Sequence, residues 1–177
     1  DGVVDENDRK VLGGRLPDFE YSVNLGASWK GFDLSLMGQG VQGAKHYASG
    51  WGLRPFYQGS PISQDYIDNM WTEDHRDAKY PRLYFADLGG AKNQRESTYW
   101  LYNASYFRLK NLTFGYTLPK ALTSKAKIER LRFYFSGDNL LTITKFPQGG
   151  DPERNYNSTK GTRLVYYPQN RIISFGV

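Results

Sequence analysis

The chain has no cysteine among its 177 residues, which removes both a disulfide framework and any thiolate metal site. Histidine is nearly as scarce. His46 and His75 are the only two, far apart and outside any HExxH-type spacing, so neither a zinc site nor a His-based catalytic triad has support. No apolar run approaches the roughly 18 residues that a membrane helix needs. The N-terminus shows no charged segment followed by an apolar stretch, so no signal peptide is expected there. A basic helix is also missing. The net charge of +5 comes from lysines and arginines spread through turns and polar faces (Lys120, Lys125, Lys127, Arg130, Arg132), and nucleic acid is not an expected partner.

What the chain does have is alternation. Phe19, Tyr21, Val23, Leu25, Ala27 and Trp29 fall on every second position, with Asp18, Glu20, Ser22, Asn24, Gly26 and Ser28 between them. That is the period-2 pattern of a strand with unlike faces. After the turn at Lys30-Gly31, Phe32, Leu34 and Leu36 oppose Asp33, Ser35 and Gln39, with Met37 the misfit. Leu112, Phe114, Tyr116 and Leu118 repeat the pattern, as do Leu131, Phe133 and Phe135, and finally Ile173, Phe175 and Val177. The spacing predicts strands over 18–29, 32–41, 105–117, 128–140 and 169–177, joined by short connections at 30–31 and 119–127 and long ones over 42–98 and 144–168. Between Leu109 and Leu112 the alternation changes phase. A β-bulge there would turn Arg108 and Lys110 to the polar side, where ion pairing is favoured over ligand contact. Within the first long connection, Gln64 to Trp71 reads as a short helix capped by Ser63, with Ile67, Met70 and Trp71 on one side.

Strands of about 9–11 residues with one apolar face are long enough to cross a bilayer as part of a barrel. Aromatic residues make up 16% of the chain, many of them near strand ends, where their rings favour the membrane interface. Short turns on one side and long loops on the other match a transmembrane barrel, with 30–31 and 119–127 periplasmic and the long connections extracellular. The fold class expected is all-β: an antiparallel transmembrane β-barrel segment of about five strands. The competing class is a soluble β-sandwich such as a carbohydrate-binding module. It shares the alternation, but its apolar faces would meet in a core and its loops would not be long at one end only.

Several phrases also carry a family resemblance: Asp1-Gly2-Val3-Val4-Asp5 with Asp8-Arg9, Leu16-Pro17-Asp18-Phe19, Gly31-Phe32-Asp33-Leu34-Ser35 and Trp71-Thr72-Glu73-Asp74. Others are Ala104 to Asn111, Gly115-Tyr116-Thr117-Leu118-Pro119, Gly137-Asp138-Asn139-Leu140, Asp151-Pro152-Glu153 and Tyr167-Pro168. In this order they resemble the C-terminal barrel portion of SusC/RagA-family TonB-dependent outer-membrane transporters. The resemblance implies a barrel of roughly 22 strands with a plugged lumen, in the outer membrane of a Gram-negative bacterium and in contact with its lipids. It implies a nutrient importer, not an enzyme, that takes up glycans or peptides with a SusD-like surface lipoprotein as lid and is powered by TonB–ExbB–ExbD. Residues 1–177 would supply barrel wall and extracellular loops, the plug domain and TonB box lying elsewhere in the full-length protein. The chain ends at Val177, where the family usually runs on to a terminal aromatic residue.

Candidate site residues follow from the loops. Sugar rings stack on Trp and Tyr faces, so Trp51, Tyr57, Trp71 and Tyr80 are the ligand-binding candidates, with packing between loops as the competing role. The opening resembles the second half of a calcium-loop pattern, with Asp1, Asp5 and Asp8 at oxygen-ligand positions; its first two ligand positions are missing, so a simple polar turn is favoured here and a Ca2+ or Mg2+ site could form only in the full-length protein. No other cofactor is expected. Asp151 with Glu153, or Asp65 with Asp68, could be offered as a glycosidase carboxylate pair, but the Asp-Pro-Glu phrase is more simply a turn held by proline. No catalytic residue is expected.

Overall fold

The computed structural model describes residues 2, 5–12, 16–47, 55–56, 61–83, 97–147, 150–153 and 169–177. The chain divides into two compact units. One comprises Pro17–Ala44, Asn103–Arg154 and Tyr166–Val177, and the other Asp1–Leu16, Lys45–Tyr102 and Asn155–Val165.

The first unit is built on a five-stranded antiparallel sheet. β1 (Phe19–Trp29) and β2 (Phe32–Gln42) form a hairpin through Lys30 and Gly31, both at positive φ, as a two-residue turn requires. Two short strands, β3 (Lys45–Tyr47) and β4 (Leu101–Asn103), pair separately. The large sheet continues with β5 (Tyr106–Thr117), β6 (Arg132–Thr144) and β7 (Ile172–Gly176), giving the spatial order β1-β2-β5-β6-β7. All five expected strands are present. The fourth is displaced: it runs over 132–144 and not 128–140. Its start is delayed because residues after Pro119 form a short helix, Lys120–Thr123, and a further 3-10 turn, Ser124–Ala126, before Lys127 reverses the chain at φ 55°. Its end is extended because pairing with β5 skips Asn139 and Leu140 and then resumes from Leu141 to Thr144.

Register explains the two faces. One row across the whole sheet is Leu25, Leu36, Leu112, Gly137 and Ile173; the next toward the short turns is Ala27, Leu34, Phe114, Phe135 and Phe175. Beyond it lie Trp29, Phe32, Tyr116 and Phe133, with the Phe32 and Tyr116 rings 4.4 Å apart. Toward the other end Phe19, Tyr21 and Phe107 stack in succession. The apolar face is therefore an aliphatic middle between two aromatic bands, the layout a bilayer selects. It is not covered. Leu25 is 58% exposed, Trp29 68% and Phe175 79%, whereas a sandwich would bury these side chains against a second sheet. An 11-residue strand is about 37 Å long at ~3.4 Å per residue and spans roughly 26–30 Å at the usual barrel tilt, close to the apolar band of an outer-membrane wall.

The other face is polar. Asn24, Met37, Asn111, Asp138 and Ile172 form one row, and Asn111 donates to Asp138 at 2.8 Å. Near the short turns Arg132 on β6 makes a two-pronged pair with Asp33 on β2, at 3.0 and 2.6 Å, passing over Gly115 of the intervening β5. A Cβ at Gly115 would collide with the Arg132 guanidinium.

Candidate functional site

The phase change in β5 is a bulge. Met37 faces Asn111 while Gly38 faces Leu109, so Lys110 is an extra residue and shares the polar face with Arg108. Both cations are paired, as the sequence suggested, but the partners come from the connection after β6. Arg108 donates from Nη2 to Asp151 at 2.7 Å, from Nη1 to Glu153 at 2.6 Å and from Nε to Thr142 Oγ1 at 2.9 Å. Lys110 is ion-paired with Glu153. Asp151, only 2% exposed, also accepts backbone N–H bonds from Glu153 at 3.0 Å and Gln169 at 2.8 Å. Burial opposes its charge, but the Arg108 hydrogen bond and the two backbone donors outweigh it, so the carboxyl lies below its ordinary range. A carboxylate held this way is a structural anion. Asp151 and Glu153 are not a free acid–base pair.

The second unit holds an aromatic cleft. The helix α1 (Gln64–Asn69) is capped by Ser63, whose hydroxyl accepts from the Tyr66 N–H at 3.2 Å. The expected apolar side is corrected: Tyr66 is the buried residue, and Ile67 is 43% exposed. Tyr66 stacks on Tyr80 at 4.5 Å and donates to the Pro81 carbonyl, so one ring joins the helix to the returning chain. Main-chain bonds close the same loop, Trp71 N to Tyr80 O and Tyr80 N to Asn69 O, both 2.9 Å. Asp65 accepts from Lys79 at 2.8 Å and from the Tyr80 hydroxyl, and these donors lower its pKa; the same bonds raise that of Lys79. Desolvation pushes Tyr66 and Tyr99 up to about 12. Asp65 is thereby committed to a salt bridge, not paired with Asp68.

The resulting cleft has a volume of about 520 Å3 and is lined by Trp71, Ala78–Arg82, Ser97 and Tyr99. The Arg82 guanidinium lies 5.9 Å from the Trp71 ring centre and the Lys79 ammonium 4.7 Å from that of Tyr80. Two of the four aromatic candidates, Trp71 and Tyr80, thus line one cleft. Trp51 and Tyr57 lie outside the described residues. Sequence reasoning missed Lys79, Arg82 and Tyr99 as lining residues, because they come together only through the pairing of residues 70 and 80 and the bond that the Tyr99 hydroxyl donates to the Lys79 carbonyl. Asp5 and Asp8 close a local turn: Asp5 accepts from the Asn7 N–H and Asp8 from the Asp5 N–H, each at 2.8 Å. Asp1 lies outside the described residues, among which no cluster of three metal-ligating side chains occurs.

A sheet with an uncovered apolar face, paired aromatic bands and a polar reverse defines a section of outer-membrane β-barrel wall. No family model matches the chain. It is 33% identical over 184 residues to TonB-dependent receptor P3 of Formosa agariphila, covering 99% of this chain and 18% of that protein. TonB-dependent receptor P26 of the same organism is 26% identical over 183 residues, covering 100% and 18%. Among solved structures, the RagAB peptide importer in its open-open state aligns with a TM-score of 0.56 and 29% identity over 87% of this chain and 16% of that one. Its closed-closed state gives 0.53 and 28% over 82% and 17%. The chain is therefore similar along its whole length to a barrel segment of TonB-dependent receptors, and in fold to a segment of the RagAB peptide importer. It spans about a fifth of the length of the curated relatives it matches. Those relatives are receptors and transporters, not enzymes.

Proposed function

We propose that the full-length protein is an outer-membrane, TonB-dependent nutrient importer that works with a SusD-like surface lipoprotein, and that it takes up oligopeptides. Residues 1–177 contribute wall and external loops, and β1 and β7, the sheet's edges among the described residues, pair with further strands of the same barrel. The observation that carries this reading is the two-faced sheet, whose register reproduces a barrel wall and whose solved neighbours are peptide importers. The cleft lined by Trp71, Tyr80 and Tyr99 favours a second reading, glycan uptake, because sugar rings stack on such walls.

The test is deletion of the full-length gene in its own host, followed by separate uptake measurements with a defined peptide mixture and with soluble oligosaccharides. Loss of peptide uptake alone supports the proposal, and loss of oligosaccharide uptake alone moves it to the second reading. Unchanged uptake of both overturns nutrient import.

A further inference from the structure

The pairing of β6 with β7 ends at Asp138 and Ile172, yet β6 continues to Thr144. The chain between them does not simply prolong the hairpin. On the polar face at this end, Tyr106, Arg108, Phe146 and Asp151 are all more than nine-tenths buried, so the start of the β6–β7 connection lies against that face of β5. Its return end is held in the same place: Gln169 donates its backbone N–H to Asp151, and its side chain meets Lys110 at 3.5 Å. One carboxylate thus gathers two stretches of chain 18 residues apart, and one guanidinium joins that carboxylate to Glu153 and to Thr142 of β6.

We infer that Asp151 is a positioning residue that ties both ends of the β6–β7 connection together and, through Arg108, fixes them on the polar side of the wall. The connection then leaves from the pore-facing side of the barrel and not from the top of its rim. This assignment of side rests on the barrel reading; the joint tie does not. A turn residue acting on its own segment would affect 150–153 alone. Asp151 should control residues 150–153 and 169–171 together, although the sequence separates them.

Hydrogen–deuterium exchange on the full-length protein in detergent tests this without a substrate, so its outcome is independent of what is transported. In the wild type, the amides of Glu153 and Gln169 should exchange at least tenfold more slowly than expected for unprotected chain. In Asp151→Asn, exchange should rise at least fivefold in both segments at once, with β1 and β2 unchanged. Arg108→Lys, which keeps the charge but cannot bridge both carboxylates and Thr142, should show a smaller joint rise. Exchange that rises at 150–153 alone, or in neither segment, overturns the assignment. If Asp151→Asn does not assemble, rapid exchange of the two amides in the wild type overturns it equally.

Discussion

An arginine at Leu25 and an arginine at Asn24 probe neighbouring positions in opposite environments. Leu25 lies near the middle of β1 in the aliphatic row, and its substitution should cost about 2–4 kcal/mol near the bilayer midplane. Asn24 stands on the polar face, where an arginine keeps access to water and should leave folding nearly unchanged. Equilibrium folding of the full-length barrel into lipid vesicles measures both, and equal losses would contradict the two-faced wall. At Asn139, held at φ 52°, a change to valine should destabilise by about 1–2 kcal/mol in the same assay, because a branched Cβ crowds the left-handed backbone. Buried Tyr66 and half-exposed Tyr99, both partly desolvated, predict an alkaline effect. In the unfolded chain Tyr66 and Tyr99 lose protons near 10, in the fold only near 12, so the loop unit should keep its stability below pH 10 and lose it as pH rises from 10 to 12. Tyr66→Phe should weaken that loss, as followed by near-ultraviolet circular dichroism against tyrosinate absorbance.

The strands were legible because a bilayer wall writes its two environments onto alternate residues. Rows such as Leu25, Leu36 and Leu112 need no tertiary information to be recognised as one face. The bulge at Lys110 was legible for the same reason, since an extra residue shifts the phase. The displaced start of β6 was not, because the helix Lys120–Thr123 covers too few residues to show a period of its own. Nor were the partners of Arg108, which lie 43 and 45 residues away in a polar loop where any carboxylate looks alike. The cleft was half legible: aromatic content marked Trp71 and Tyr80, but the stack of Tyr66 on Tyr80 and the return of the chain through Arg82 depend on the fold. The lengths of the connections also predict an orientation. A cysteine replacing Glu73 should be labelled in intact cells by a membrane-impermeant thiol reagent, and one replacing Ser124, in the short connection before β6, should not. The reverse pattern would invert the assigned topology.

For the whole molecule, the surface lipoprotein of the proposed function would have only the long connections to hold. The strands present lipid-facing or polar side chains, and the turns between β1 and β2 and between β5 and β6 share the opposite end of the sheet. Removing residues 50–85 should therefore reduce copurification of a SusD-like lipoprotein several-fold while the barrel still assembles, read by pull-down beside heat-modifiable mobility on gels. Full retention of the lipoprotein would leave that region to substrate contact or loop packing.

The Arg132–Asp33 pair has a separate consequence for assembly. It joins β2 to β6 across a strand between them and passes over the one residue of β5 that has no side chain there. If β5 slipped by one position, its faces would exchange and Phe114 or Tyr116 would stand where Gly115 should be. The two charges would then be held apart by a ring. The pair thus proofreads the alignment of three strands, closing only when each has found its proper neighbour.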